Sequence, residues 1–591
     1  MKREGMVRWY RVGIFVKTGI RAALASVLSS YVDNREIQAA TVSIPDCDLN
    51  GTYDYADRKG EDGSFWFDFV ADLGDGWDST FAVASLLASP ELRPANSDCS
   101  LVRGQFLIMG GDQVYPNATR EHYRNRLVFP YQTALPEPDG GAKGEAKKTA
   151  PRLFAIPGNH DWYDGLLAFR GLFCRRRDDK PERDGRWIGG WLTQQHRSYF
   201  ALRLPHDWWI LAPDIALSTY IDQAQLDYFE MAIEKMNASS RVLVCIALPL
   251  WLNGKRSADL AYFLHILDKK GVSVRAFIAG DRHHYARYQC DDGIQFITSG
   301  GGGAFLHPTH TLSASETISW SAKKDETGKI TESTKTLKAA KAKEAHGHNK
   351  EAVFPCRTVS QSLAWGNLLF PFKNTSFAAT LALIQALVCW TLLWGSPEDY
   401  SPLVQWLVQR PGVPNLSPSV LFGVVAHHPT FVALALGLFY GLYLFCQADS
   451  RRLRFFLATF HWILQITLVF FLSALHGRFT EQAAEVGVAV PIFIGISFVG
   501  GVIGAIIFGV YLLISMNLFG IHANEGFSSL RIKDYKNFLR FRVTEDGLTI
   551  FPIGLKRVPS EDDPEKARNT VVSEAELIET PINLELRKDP R

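Results

Sequence analysis

Residues 488–516 (VAVPIFIGISFVGGVIGAIIFGVYLLISM) contain no Asp, Glu, Lys, Arg or His. A water-soluble domain has little room for a chargeless run of that length. A bilayer has room, because a spanning helix takes ~20 mostly apolar residues. Stretches 376–395, 426–446 and 455–475 are also long and apolar and hold no Asp, Glu, Lys or Arg. The expectation is therefore an all-α membrane domain over 376–518 with four transmembrane helices. The last stretch carries Gly500-Gly501, so it reads as tilted, broken or preceded by an interfacial turn.

The loops set an orientation. The second loop holds Arg451, Arg452 and Arg454, and Arg531, Lys533, Lys536, Arg540 and Arg542 follow the last stretch. The first loop sets Glu398 and Asp399 against Arg410, and the third sets Glu481 and Glu485 against Arg478. Basic loops prefer the cytoplasmic side. This predicts a multi-pass protein of the plasma (inner) membrane with both soluble ends cytoplasmic, touching each other. His461 and Gln465 share a helix face and read as interhelical hydrogen bonding. No Asp, Glu, Lys or Arg lies deep in a span, which argues against a pump or an ion path. Residues 1–45 begin like a signal peptide, but Lys17 and Arg21 interrupt the apolar run. They read as an amphipathic region that lies on membrane lipids, docks on the domain or packs in a core.

The rest of the chain looks soluble. Lys plus Arg is 63 against 61 Asp plus Glu, which argues against a nucleic-acid partner. The eight cysteines form no C-x-x-C pair, so a zinc ribbon or disulfide scaffold is not expected, and cytoplasmic thiols would be reduced. Apolar runs at 65–72, 105–112, 152–161, 241–248 and 274–281 read as buried strands. Helical patterns fall at about 79–90, 223–237 and 257–270. This alternation predicts an α/β domain over 50–318 with its polar groups gathered at strand ends. Residues 134–150, and 321–352 within a charged connector at 319–375, read as mobile insertions, and His346 and His348 fall in the second. Residues 519–560 read as a small C-terminal β segment, a hairpin turning at Glu545-Asp546-Gly547 and packing on the α/β domain; 561–591 is a polar tail.

Four strand ends carry chemistry: Asp72-Leu73-Gly74-Asp75, Gly111-Asp112-Gln113-Val114-Tyr115, Gly158-Asn159-His160-Asp161 and Gly280-Asp281-Arg282-His283-His284. One strand-end Asp is an ordinary turn residue. Four such ends in order supply carboxylates, an amide oxygen, imidazoles and a phenol, a donor set suited to Mn, Fe, Zn or Mg. Paired ions of this kind clamp both oxygens of an in-line displacement at phosphorus.

These motifs resemble the calcineurin-like metallophosphoesterase superfamily over about 65–310. The Asp72-x-Gly74 and Gly111-Asp112-x-x-Tyr115 spellings are similar to the purple acid phosphatase branch. The resemblance implies an α/β sandwich that hydrolyses phosphoric ester or pyrophosphate bonds with metal-activated water. It implies Asp72, Asp112, Tyr115 and His283 as ligands of one metal. Asp112 and Asn159 would hold a second, with Asp281 at the place of a family histidine. His160 would act as general acid or charge stabiliser, oriented by Asp161. Tyr115 also reads as aromatic packing. The segments Arg197–Phe200, Asp214-Ile215 and Ile221–Gln225 fit the same family, and Arg120, Arg124 or Arg126 is a candidate phosphate fork. The family histidine after 241–248 is missing, and one or two metals both remain open. Asp75, His284, His307 and His310 are candidate substitutes, and His522 or Glu525 is a candidate to reach the site from beyond the last span. The Gly300–Gly303 run reads as a close backbone approach or a plain turn. The expected function is a membrane-anchored phosphohydrolase acting on a phosphorylated substrate, lipid-linked or soluble. A catalytically impaired sensor or scaffold is the alternative, and a transporter with a regulatory phosphatase domain is a third.

Overall fold

The computed structural model describes residues 3–29, 53–60, 62–138, 149–174, 185–216, 221–252, 261–324, 330–343, 349–393, 423, 426–482 and 486–585. They form two compact units. One comprises Met1–Val7, Lys17–Ser360 and Arg531–Arg591; the other comprises Arg8–Val16 and Gln361–Leu530.

The strands that matter in the first unit are β1 (Phe65–Val70), β2 (Phe106–Gly110), β3 (Arg152–Ile156), β4 (Trp208–Ala212), β5 (Arg241–Ile246), β6 (Ser273–Ala279), β7 (Tyr285–Cys290), β8 (Gln295–Ser299), β9 (Ser315–Lys324), β10 (Ile330–Ala339), β11 (Lys536–Thr544) and β12 (Gly547–Leu555). Together with shorter strands they build, among the described residues, two nine-stranded sheets. One contains the order β12-β11-β1-β2-β3, the other β9-β10-β7-β8-β6-β5-β4. β1, β2 and β3 run parallel, so their C-terminal ends meet on one edge. The expected strands all form, for a visible reason. In β6, Ala276 and Ile278 enter a core shared by both sheets, while Val274 and Phe277 enter a second core. A strand buried on both faces reads as a continuous apolar run. The second core also takes Tyr228 and Phe229 from the helix Gln223–Glu234, and Phe263 and Leu264 from the helix Ala261–Lys269.

The hairpin β11–β12 joins the first sheet directly. β11 pairs antiparallel with β1 from Phe65↔Val543 to Phe69↔Leu539. The Arg540 guanidinium meets Asp68 with two hydrogen bonds, Nε to Oδ1 at 2.7 Å and Nη2 to Oδ2 at 3.1 Å, both side chains buried. Phe67 stacks on Phe541 at a centroid distance of 4.4 Å.

The charged insertion corrects the reading of a mobile segment. Its described residues β9 and β10 pair as a hairpin, and β10 also pairs with β7. Its Thr, Ser and Lys residues suit an edge hairpin wet on one face, and such strands carry no apolar run to reveal them. His346 and His348 lie outside the described residues, as does most of 134–150.

In the second unit, among the described residues, three helices are long and apolar enough to cross a membrane: Thr375–Leu393, Arg451–Gly477 within the longer helix Arg451–Gln482, and Val490–Phe519 within Val486–Phe519. The last is one continuous helix through Gly500-Gly501. The expected second span appears as a 17-residue apolar helix, Pro429–Phe445. At 1.5 Å per residue it covers about 25 Å, short of a ~30 Å hydrocarbon core. The first loop, with Glu398, Asp399 and Arg410, lies outside the described residues. Gln385 Nε2 donates to Gln465 Oε1 at 3.2 Å, and Gln465 Nε2 meets His461 Nε2 at 3.3 Å and Gly504 O at 3.1 Å. These are the interhelical bonds expected of that face.

Candidate active site at the strand ends

Asp72, Asp112 and Asp281 each follow a strand and each has a left-handed backbone, with φ of 58°, 48° and 65°. That conformation costs a residue other than glycine of order 1 kcal/mol. Three such turns beside one another are a mark of a functional site rather than of caps. Two glycines make room for them. A Cβ on Gly158 would lie 2.0 Å from Asp112 Oδ1, and one on Gly300 2.3 Å from Asp72 Oδ2.

The centre of the site is the Tyr115 hydroxyl. It lies 3.0 Å from Asp72 Oδ1, 3.2 Å from Asp112 Oδ2 and 2.9 Å from His283 Nε2. His283 Nε2 is 3.6 Å from Asp72 Oδ1. All four residues are buried. Burial, then the charges of Asp112 and Asp281, push the Asp72 carboxyl well up. Burial pushes Asp112 up, opposed by His160 and reinforced by Asp281. Burial, then Asp112 and Asp72, raise the Tyr115 phenol. Burial and His307 pull the His283 imidazole well down. Crowded acids whose anionic forms are disfavoured, beside an imidazole kept neutral, are what a cation would relieve.

The donor set fits one metal ion. Neighbouring corners around an ion with ~2.1 Å bonds lie about 3 Å apart, close to the spacings above. Asp72 Oδ2 is buried without a hydrogen-bond partner. His283 Nδ1 donates to the Phe305 carbonyl at 2.7 Å, which leaves Nε2 as the lone-pair nitrogen facing the cluster. Among the described residues, no group of three or more His, Cys, Asp or Glu side chains is closed enough to hold an ion unaided. The phenol is what joins these three.

A second position is thinner. Asp112 Oδ1 accepts from the His160 amide at 2.9 Å, which brings Asn159 alongside. Asn159 Nδ2 donates to the Tyr163 hydroxyl at 2.9 Å, aiming Oδ1 the other way. Asp281 faces Asp72 and Asp112 closely enough to raise both. Arg282 Nε lies 3.6 Å from Asp281 Oδ2. Ala247 occupies the end of β5, and its Cβ would be 2.9 Å from one on Gly111, so no imidazole enters there. Oxygen donors alone do not suit Zn at this second position.

Several expectations change. Asp161 does not hold the His160 ring. Its carboxylate accepts from Gly158 N at 2.8 Å, Gln113 N at 3.3 Å and the Tyr123 hydroxyl, so it ties two site loops together. His160 Nδ1 instead donates to the Pro116 carbonyl at 2.9 Å. Asp75 accepts from the Val7 and Phe305 amides and serves the backbone. Arg126 pairs with Glu4 at 2.8 Å, so it is not a phosphate fork. His310 meets Ser360 at 2.8 Å. His522 stacks on Phe445 at 4.5 Å within the helical unit. His307 stacks on His283 at 3.9 Å and stays beside the site. Sequence reasoning missed Tyr163 and Tyr123, aromatic residues whose hydroxyls carry no motif signal.

No family model matches the chain, and no curated protein matches it. Solved structures similar to it include GAP50, the anchor in the inner membrane complex of Plasmodium, at 13% identity over 47% of this chain and 82% of that one, TM-score 0.28. A dimetal phosphatase from Danio rerio is 14% identical over 40% of this chain and 88% of that one, TM-score 0.23. PhoD is 9% identical over 41% of this chain and 58% of that one, TM-score 0.26. Overlaps this loose carry no argument about activity.

Proposed function

We propose that the chain is a metal-dependent hydrolase of phosphoric ester or pyrophosphate bonds. More particularly, we read it as a membrane-anchored phosphohydrolase whose catalytic unit and C-terminus face the cytoplasm of the plasma (inner) membrane. The observation that carries this reading is the meeting of Asp72, Asp112 and His283 around the Tyr115 hydroxyl, each within 3.2 Å of it, drawn from three separate strand ends. Ions of the Mn, Fe, Zn or Mg class at such a set polarise phosphoryl oxygens and acidify water. The chain's own residues do the rest. His160, with Nδ1 committed to Pro116, presents Nε2 to the leaving oxygen as proton donor or charge stabiliser. Asn159 is aimed by Tyr163. Arg282 stands at the rim beside Asp281, where a phosphate oxygen is its natural alternative partner. Attachment to lipid favours a lipid-linked phosphate as substrate, and the same residues serve a soluble one. The helix Val12–Ser29 exposes Val12, Phe15, Val16, Ile20 and Leu24 at helical spacing, a stripe suited to lie on lipid.

The test is metal content of the purified full chain together with turnover of an aryl phosphate. Wild type should carry metal and turn over, and Asp112→Asn should lose both. The second reading, a metal-free sensor or scaffold, is favoured by Ala247 at the end of β5 and by the lack, among the described residues, of a closed carboxylate–imidazole cage. Absence of metal and of turnover in wild type would select it.

A further inference from the structure

The loop Gly300–His307 holds His283. Its Phe305 carbonyl takes the His283 Nδ1 proton, and His307 stacks on the same ring. On one side the loop is tied to the strand ends: Gly302 N donates to Ala71 O at 2.9 Å, Ala304 N to Asp72 O at 2.9 Å and Phe305 N to Asp75 Oδ2 at 3.1 Å. Ser79 Oγ donates to the Gly303 carbonyl at 2.6 Å, and a further set of ties comes from residues 532–537, the segment entering β11. Leu306 N donates to Ile532 O at 3.1 Å, and Asn537 N to Gly301 O at 3.1 Å. Asn537 Oδ1 accepts from Ser299 Oγ at 2.9 Å and Gly301 N at 3.3 Å. The Lys536 ammonium donates to the Ala304 carbonyl, one peptide from the carbonyl that orients His283.

Lys536 is fully buried. A buried ammonium is costly unless it is hydrogen-bonded and faces negative charge. Here it faces Asp75, Asp534 and Asp72, whose fields oppose the effect of burial on it. A surface strand has no need of such a residue; methionine would fill the same volume without the desolvation penalty.

We infer that Lys536 and Asn537, on the strand that follows the membrane helices, are positioning residues of the active site: they clamp the Gly300–His307 loop so that His283 Nε2 faces Asp72 and Tyr115. This rests on the phosphohydrolase reading for the purpose of the clamp but not for its existence.

The experiment uses the full chain in detergent, with Lys536→Met and Lys536→Gln as paired variants and Arg542→Met, exposed on the same strand, as control. Hydrogen exchange of the peptide spanning 300–307 reads the clamp without any metal. Titration with Co²⁺, followed by its visible spectrum, reads the ligand geometry. Loss of a group that orients a metal ligand weakens metal binding ~10-fold or more. The expected result is exchange at 300–307 about tenfold faster in both Lys536 variants, unchanged exchange in β2 and β3, an altered Co²⁺ spectrum and Co²⁺ affinity ~10-fold weaker. Wild-type exchange and wild-type Co²⁺ binding in both variants would overturn the clamp and leave the phosphohydrolase reading standing. Faster exchange with no Co²⁺ uptake by wild type would support the clamp and overturn the phosphohydrolase reading.

Discussion

At the scale of single residues, the candidate site is a small set of strained acids around one phenol. Tyr163 shows how a side chain with no motif signal governs one that has it. Tyr163→Phe removes the acceptor that aims the Asn159 amide, and metal affinity or kcat should fall ~10-fold, measured by metal titration and steady-state kinetics. His284 gives a pH prediction. It is buried, and burial followed by the Arg282 charge, opposed by a backbone hydrogen bond at His307, pulls its pKa from 6.5 to about 3. A depressed folded pKa means that its stabilising contribution is present above pH ~6.5 and is lost as pH falls toward the folded value. The stability of wild type relative to His284→Gln should therefore drop by about 1.4 kcal/mol per pH unit below ~6.5, read from denaturant midpoints. A flat difference would mean the ring is protonated or wet. The motif acids, Asn159 and His283 were legible in the sequence because each follows an apolar strand. The partner of the His160 ring was not, since a backbone carbonyl at Pro116 has no sequence signature.

At the scale of elements, legibility followed burial. Strands hidden on both faces, such as β5 and β6, declare themselves by unbroken apolar runs. The edge hairpin β9–β10 does not, because Ser, Thr and Lys serve an exposed strand as well as a loop. The β11–β12 hairpin was readable from its turn, and its pairing with β1 leaves Arg540 and Asp68 sealed together. Arg540→Met would strand the Asp68 charge and should cost about 3–5 kcal/mol. The double change Asp68→Asn with Arg540→Met should recover more than half of that loss in thermal unfolding. Equal melting of the single and double variants would show that the pair is not coupled.

At the scale of the whole molecule, one folding unit is written in three pieces of chain, Met1–Val7, Lys17–Ser360 and Arg531–Arg591, with the apolar helices falling in sequence between the last two. Residues 1–375 alone lack Phe538, Leu539, Phe541 and Ile550, all buried in the shared core. That fragment should fail to melt cooperatively. A fusion of 1–360 to 531–591 through a flexible linker should regain a single transition and Co²⁺ uptake. Recovery by the fragment without 531–591 would show that the C-terminal strands are dispensable.

The late arrival of β11 gives the protein a clock. Asp68 and Arg540 are 472 positions apart, and at 5–20 residues per second a ribosome needs roughly 25–95 s to deliver the second after the first. Until then the outer edge of β1 has no neighbour, and the loop that steadies His283 has no brace. On the reading proposed above, a nascent chain would lack a braced His283 loop throughout the interval in which its apolar helices are made, and would gain one only when the last strand has come home.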